Sequence, residues 1–158
     1  MPYIPNAQIS APNGGGGIRM GYGEKTSSTS ITANTENGAD IVATATAVVL
    51  DGLTLIRVEA YSPAFVSPSA NSLVLVLFAA KDGAAAASLG DWGSFVVATA
   101  STSEILTSGG LVARYLTPAA GTWVYSLRAY TNTGTGTIIG GTGVATASAP
   151  AFIAVVSA

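Results

Sequence analysis

The apolar run at residues 73–80 constrains the fold more than any other stretch of this chain. It reads Leu-Val-Leu-Val-Leu-Phe-Ala-Ala and is followed by the turn signal Lys81-Asp82-Gly83. A run with no helical period and no polar face predicts a strand that is covered on both sides. One side can pack on the core of the domain. The other side therefore needs a second layer or a neighbouring chain.

The composition indicates a folded, all-β protein. The chain has 158 residues, of which 49% are hydrophobic and 9% are charged, and this is enough for one domain with its own core. A disordered chain would show the opposite balance, with few large aliphatic residues and many charges. Val, Ile, Thr and aromatic residues favour strands, whereas the good helix formers Glu, Lys, Arg and Gln are scarce.

The scarcity of charge excludes several functions. Six basic residues and a net charge of −2 do not provide the cationic surface that nucleic acids require. The chain has no His and no Cys, so the usual ligands of zinc, haem and iron–sulfur clusters are missing. We also expect no membrane span and no signal peptide, because the apolar stretches are interrupted and the first residues lack a basic region.

Residues 1–17 read as an N-terminal arm that precedes the domain. Three prolines prevent regular structure there, and four consecutive glycines form a flexible joint to the first strand. The apolar residues Tyr3, Ile4 and Ile9 are more than a linker requires. We therefore predict a docking arm, with a merely disordered segment as the alternative, and place the domain at 18–158.

The rest of the chain predicts about nine short strands separated by Gly, Pro, Asn and Asp turns. These strands cover 18–25, 31–35, 40–50, 53–61, 73–80, 94–100, 111–117, 122–131 and 151–156. Asp51-Gly52 predicts a hairpin between the third and fourth of them, and residues 84–93 predict a loop. Antiparallel strands at this spacing indicate a β-sandwich, with a jelly roll as its expected form.

No arrangement of residues indicates an enzyme. A serine nucleophile would have no His as its base, and a Ser-Lys pair would have to use Lys25 or Lys81, each beside a turn. Four of the eight acidic residues lie in or beside turn signals, where they are expected to bind backbone amides: Asp40, Asp51, Asp82 and Asp91. No calcium loop, dinucleotide fingerprint or phosphate loop is present in the sequence. We therefore expect no catalysis, cofactor or metal.

Two groups of residues are candidates for a subunit interface. Protein surfaces normally carry about 25–35% charged residues, whereas only 9% of this whole chain is charged. Much of its exterior is therefore expected to contact other protein. The alternative is a monomer whose surface is coated by Thr and Ser. The first group consists of the apolar strand residues Leu73, Leu75 and Leu77. The second group consists of charges placed inside strands, which could also belong to a solvated face: Arg57, Glu59, Arg114 and Arg128.

Strand aromatics offer another possible site. A sugar-binding surface could use Trp92, Tyr115, Trp123, Tyr125 and Tyr130. Aromatic residues on strands belong more often to a core or to a subunit interface, and that alternative is preferred here.

Several phrases resemble small virion proteins of tailed bacteriophages, including decoration, head-fibre and minor tail proteins. The phrases are IRMGY (18–22), LTLIRVEA (53–60), LVLVLF (73–78), ARYLTPAAGT (113–122), YSLRA (125–129) and APAFIAV (149–155). The resemblance covers 18–158 and implies a jelly roll similar to tumour necrosis factor and C1q, commonly trimeric. Bacterial spore-surface proteins with C1q-like heads show a similar sequence pattern, so they are the alternative family.

The sequence therefore predicts a non-enzymatic structural protein on the exterior of a phage particle. Its partners would be two further copies of itself, in a homotrimer, and a capsid or tail protein of the same particle on which the arm docks. A receptor- or glycan-binding head is the alternative function.

Overall fold

A computed structural model describes residues 17–67, 71–97, 110–141 and 149–158 of the chain. These residues form twelve strands and a 3₁₀ helix at Glu36–Gly38. The strands are β1 Arg19–Lys25, β2 Thr29–Ile31, β3 Asp40–Thr44, β4 Val48–Leu50, β5 Ile56–Ser62, β6 Phe65–Val66, β7 Asn71–Lys81, β8 Ala87–Val97, β9 Gly110–Leu116, β10 Gly121–Thr131, β11 Gly136–Ile138 and β12 Ala151–Ser157. The predicted docking residues Tyr3, Ile4 and Ile9 lie outside the described residues.

The long strands form two antiparallel sheets. Sheet I has the order β1-β12-β5-β9, and sheet II has the order β3-β10-β7-β8 with β4 also paired to β10. A small third sheet, β2-β11-β6, lies beside them. Along the chain, the long strands pass between sheets I and II repeatedly, and the first and last of them are neighbours in sheet I. This connectivity is a jelly roll, so the predicted β-sandwich is confirmed.

The core lies between sheets I and II, and β7 supplies its centre. Leu73, Leu75 and Leu77 have 0% exposure and pack with Ile56 and Ile153 from sheet I in a single apolar cluster. Burying one such side chain contributes about 1.5–3 kcal/mol. The three leucines are therefore core residues of one chain, and their prediction as subunit-interface residues is wrong.

The outer side of β7 is covered by the same chain. Val76 and Phe78 point away from the main core, yet they are buried, at 0% and 3% exposure. They form a second small cluster with Ala39, which follows the 3₁₀ helix, and Ala86 and Tyr130 pack against it. The outer side of β7 was expected to meet either a second layer of the same chain or a neighbouring chain. The structure shows a second layer of the same chain, which includes Ala39 and Ala86.

One edge of the sandwich is closed by direct backbone contact. The Thr46 amide donates to the Tyr22 carbonyl at 3.0 Å, which joins the β3–β4 connection to β1. This approach requires glycine on β1, because a Cβ at Gly23 would lie 1.7 Å from the carbonyl oxygen of Thr44. The glycines of β1 thus bring the edges of the two sheets together.

The predicted hairpin between 40–50 and 53–61 is wrong. Residues 40–50 form two strands, β3 and β4, which both pair with β10, while β5 pairs with β12 and β9 in the other sheet. The Asp51 carboxylate accepts hydrogen bonds from the Leu53 and Thr54 amides, both at 2.8 Å, and turns the chain from sheet II to sheet I. An Asp-Gly pair can form the turn of a hairpin or a connection between two sheets. The sequence signal alone therefore could not distinguish these two structures.

The predicted loop at 84–93 is wrong as well. Strand β8 begins at Ala87 and forms a hairpin with β7 through Asp82-Gly83, whose φ angles are +52° and +79°. Register shifts in this pair accommodate Gly90, which has a φ of +99°. Ala and Gly are poor strand formers, and this composition concealed the strand.

The second predicted strand is displaced. Strand β2 covers Thr29–Ile31, earlier than the predicted 31–35, and the 3₁₀ helix at Glu36–Gly38 follows it. The last strand is confirmed at Ala151–Ser157. No helix in the described part of the chain has the length and apolar character needed to cross a membrane.

Candidate interaction surfaces

The outer face of sheet I carries an ion pair among aromatic and apolar side chains. Arg57 and Glu59 alternate with the buried residues of β5, so both point away from the core, and Arg57 Nη2 lies 2.7 Å from Glu59 Oε1. Tyr115 stands opposite Arg57 on β9. The Tyr115 hydroxyl and, after it, the charge of Glu59 raise the pKa of Arg57.

A row of rings crosses the same face from β5 to β1. Tyr61 stacks on Phe152 of β12 with ring centroids 5.7 Å apart, and Phe152 lies 6.0 Å from the Tyr22 ring of β1. The Tyr22 hydroxyl donates to Glu24 at 2.8 Å, and the Arg19 guanidinium lies 4.6 Å from the centre of the Tyr22 ring. Burial and, second, Glu24 raise the pKa of Tyr22. The Tyr22 hydroxyl at the β1 end of this row is thus engaged by Glu24.

The row ends in exposed side chains on β9, the edge strand of sheet I. Leu111 stands opposite Tyr61, and Tyr115 stands opposite Arg57. Leu111 is 62% exposed and Tyr115 is 58% exposed. We call the outer face of β1, β12, β5 and β9 the sheet I face, defined by Tyr22, Arg57, Glu59, Tyr61, Leu111, Tyr115 and Phe152.

Arg114 lies on the opposite side of β9 and joins the two sheets. It pairs with the core residue Val58, so its side chain starts on the core side of sheet I. The guanidinium crosses to the edge strand of sheet II and donates to the carbonyls of Leu89 and, at 3.2 Å, Asp91. This contact satisfies two carbonyls on the exposed edge of β8.

Arg128 lies on the far side of the molecule, on the outer face of sheet II. Its guanidinium carbon is 4.3 Å from the centre of the Phe78 ring, and its Nε donates to Ser126 Oγ at 3.3 Å. Burial lowers the pKa of Arg128, because removal from water disfavours the charged form.

The four charged residues predicted for one interface thus occupy three places. Arg57 and Glu59 form an ion pair on the sheet I face, whereas Arg114 bridges the sheet edges and Arg128 lies on sheet II. The four residues therefore do not form one ion-pair cluster within a single chain. A subunit contact that includes Arg57, Glu59, Arg114 or Arg128 stays a prediction.

Three of the four predicted turn aspartates hold backbone amides. Asp40 accepts from Thr32 and Ala33, and Asp51 from the residues that follow it. Asp82 accepts from Thr122 at 2.8 Å across the β7–β10 pair. Asp91 instead lies within β8. No group of three or more acidic residues in the described ranges is placed to hold a metal ion.

The five aromatics considered for sugar binding do not form one surface. Tyr125 lies in the core, where burial raises its pKa to about 12, and Trp123 stacks on it at 6.0 Å. Tyr130 covers the outer side of β7, and Trp92 packs against the main core. Tyr115 alone of these five lies on the sheet I face.

Sequence reasoning missed four members of the sheet I face: Tyr22, Tyr61, Leu111 and Phe152. Alternation in 53–61 places Tyr61 on the same side as Arg57 and Glu59, and that signal was available. The other three come from strands distant in sequence. Their place on one face depends on the order β1-β12-β5-β9, which no local pattern encodes.

No family model matches the chain, and no curated protein matches it in sequence. Among solved structures, the Eiger tumour necrosis factor of S. frugiperda aligns with a TM-score of 0.44 and 12% identity over 89% of this chain and 92% of that chain. A carbohydrate-binding module of Cellvibrio mixtus lichenase 5A, in complex with cellotriose, aligns with a TM-score of 0.32 and 14% identity over 85% and 89%. The VP2 protein of an infectious bursal disease virus subviral particle aligns with a TM-score of 0.33 and 13% identity over 84% of this chain and 35% of that chain. The strand order itself, β1-β12-β5-β9 against β3-β10-β7-β8, defines the fold as a jelly roll.

Proposed function

We propose that this chain is a non-enzymatic structural protein of a bacteriophage particle, where it forms a homotrimer on the exterior. The observation that carries the proposal is the sheet I face. It presents a row of aromatic rings beside a charged pair that is already neutralised, and it continues into the exposed side chains of Leu111 and Tyr115.

This face is suited to burial against protein. Aromatic residues dominate the energetics of protein interfaces, and they order at a low entropic cost. The charges of Arg57 and Glu59 face each other at 2.7 Å, and Glu24 accepts from Tyr22. A partner can therefore cover the face without leaving either charge of the Arg57–Glu59 pair isolated, which is the costly case.

A trimer requires two different patches on each copy. A cyclic assembly of three copies is heterologous, so one patch of each subunit meets another patch of the next. The rings of Tyr22, Tyr61 and Phe152 offer the first patch. The exposed edge strand β9, with Leu111 and Tyr115, offers the second. A stable interface of ordinary size buries about 800 Å² on each partner.

The assignment to a phage particle rests on the resemblance of sequence phrases. Four of the six segments, at 18–22, 53–60, 113–122 and 149–155, include parts of the four strands of sheet I, and the other two, at 73–78 and 125–129, lie on β7 and β10 of sheet II. The resemblance therefore extends over both sheets of the sandwich. Docking on a capsid or tail protein through Tyr3, Ile4 and Ile9 completes the proposal.

Charge placed on the sheet I face tests the trimer. Leu111→Glu puts a carboxylate into the proposed interface, and Val49→Glu is its matched control on sheet II, where Val49 is 77% exposed. The native mass of L111E is expected to fall to that of a monomer, while V49E keeps the mass of the wild type. Equal masses for the two variants would overturn the sheet I face as the contact. Mass spectrometry of purified phage particles from the source bacterium tests the location.

One observation favours a second candidate, a glycan-binding head. Tyr115 is 58% exposed beside the donors and acceptors of Arg57 and Glu59, as in surfaces that stack a sugar ring. Glycan-array binding by the wild type that is lost in Tyr115→Ala, with an unchanged native mass, would favour this function over assembly.

A further inference from the structure

A half-buried cation without a counter-ion lies on the outer face of sheet II. Arg128 starts beside Val76 on β7 and Ile41 on β3, and its guanidinium lies over the Phe78 ring. Among the described residues no carboxylate lies within ion-pair distance of it; the ion pairs there are Arg57–Glu59 and Lys81–Asp82. Partial burial of a charge without a partner costs free energy, so the arrangement calls for an explanation.

The Arg128 fork is held in place before any ligand arrives. Its Nε donates to Ser126 Oγ at 3.3 Å, and the guanidinium stacks on a ring that is itself buried at 3% exposure. These two contacts fix the plane of the group and leave its two terminal nitrogens without an acceptor among the described residues. A carboxylate matches two parallel N–H donors of this kind.

The surroundings of Arg128 on its β3 and β4 side include exposed aliphatic residues, while on the β8 side the carboxylates of Asp91 and Glu36 lie near Tyr130 and not within ion-pair distance of Arg128. Ile41, its neighbour across the β3–β10 pair, is 54% exposed, and Val49 on β4 points to the same side of sheet II. The rings on this side, Phe78 and Tyr130, are taken up by the cover of β7. No free ring is left there among the described residues for a sugar to stack on, and exposed aliphatic groups suit the side chains of a polypeptide.

We infer that Arg128 forms an anion site for an acidic side chain of a partner polypeptide, with Ile41 receiving an adjacent apolar residue of that partner. A Glu or Asp carboxylate would accept two hydrogen bonds from the Arg128 fork. The site is on the sheet opposite the proposed subunit contact. The existence of this site therefore does not depend on whether the trimer forms.

Peptide titrations followed by NMR test this site on the whole chain. The probes are acetyl-Leu-Glu-Leu-amide, its Gln counterpart and glucuronate, and the readout is the side-chain Nε–H signal of Arg128. The Glu peptide is expected to shift this signal saturably at millimolar concentration, whereas the Gln peptide and glucuronate bind at least about tenfold more weakly. In Arg128→Lys, which keeps the charge but not the fork, the affinity of the Glu peptide is expected to fall by about tenfold.

Three results would overturn the inference. Equal shifts with the Glu and Gln peptides would show that the carboxylate is not recognised. Equal binding of glucuronate would show that the site takes any carboxylate and not a polypeptide. Unchanged affinity in R128K, with thermal unfolding showing an intact fold, would show that the fork plays no part. Ile41→Ser, with Arg128 retained, is expected to weaken the Glu peptide, and no effect would remove Ile41 from the site.

Discussion

Arg57 Nη2 and Glu59 Oε1 lie 2.7 Å apart, two positions from each other on strand β5. Because alternate residues of a strand share a face, this pair forms within one strand, and Tyr115 of β9 adds a hydrogen bond to Arg57. Both side chains keep some exposure, 31% for Arg57 and 21% for Glu59. The pair therefore stabilises the isolated chain only weakly, and its main effect is expected where a second subunit covers it.

Removal of one partner of this pair is expected to weaken the proposed trimer more than removal of both. In Glu59→Ala the Arg57 charge would be left alone in the contact, whereas the double variant R57A/E59A leaves no charge there. A double-mutant cycle on trimer dissociation, measured by dilution, is expected to give a coupling of about 1 kcal/mol or more. A cycle without coupling, together with unchanged oligomeric state in all variants, would contradict the place of the pair in the interface.

Truncation of the β7 core is expected to destabilise the chain strongly. Leu75 has 0% exposure at the centre of the apolar cluster, so Leu75→Ala should cost about 2–5 kcal/mol of unfolding free energy. Val49→Ala removes a side chain that is 77% exposed and should change stability by less than about 0.5 kcal/mol. Urea unfolding of both variants checks this, and equal losses would contradict the packing described for β7.

Glycine 23 is expected to be irreplaceable where the two sheets meet. An added Cβ would lie 1.7 Å from the Thr44 carbonyl oxygen, and backbone on both sides would have to move. Gly23→Ala should therefore cost about 3 kcal/mol or prevent folding. At Gly38 the nearest atom to an added Cβ is Thr35 Oγ1 at 3.3 Å, so Gly38→Ala is the control and should be nearly neutral. Similar melting temperatures for the two variants would show that the edge is not closed by this contact.

Alkaline pH is expected to destabilise the fold through Tyr125. Burial raises the pKa of its hydroxyl to about 12, whereas a Tyr in an unfolded chain has a pKa of about 10. Between these values the unfolded chain releases the proton and the native chain keeps it. The stability that is complete below about pH 10 is therefore lost as the pH rises towards 12.

Comparison with Tyr125→Phe isolates this contribution from that of the other tyrosines. Urea midpoints measured from pH 8 to pH 11, chosen to span the pKa of about 10 of a free Tyr, should fall more steeply for the wild type than for Y125F. Parallel curves would mean that the Tyr125 hydroxyl does not titrate as a buried group.

The elements that could be predicted are those whose pattern is local. The apolar run that contains Leu75 predicted a buried strand, and the structure has β7 there. The alternation of residues around Arg57 likewise predicted a strand, and its charged residues point outward in β5. The backbone role of Asp51 also followed from its turn signal, although the partner strand did not. Short-range patterns fix which strands exist and which side chains share a side of a strand.

The pairing of strands could not be predicted, and most of the candidate surfaces depend on it. Tyr22 and Phe152 meet because β1 pairs with β12, which is more than a hundred residues away in the chain. Arg114 looks like Arg57 in sequence, but the register of β9 turns it to the core side and on to the carbonyls of β8. A one-residue change of register would exchange these roles.

The native mass of the purified wild-type chain at micromolar concentration tests the central claim most directly. The sheet I face predicts a species of three times the 15.6 kDa chain mass, which persists on dilution below the concentration used for purification. A stable species of 15.6 kDa, with the sheet I face accessible to solvent, would contradict the trimer and remove the main support for a structural role in a particle.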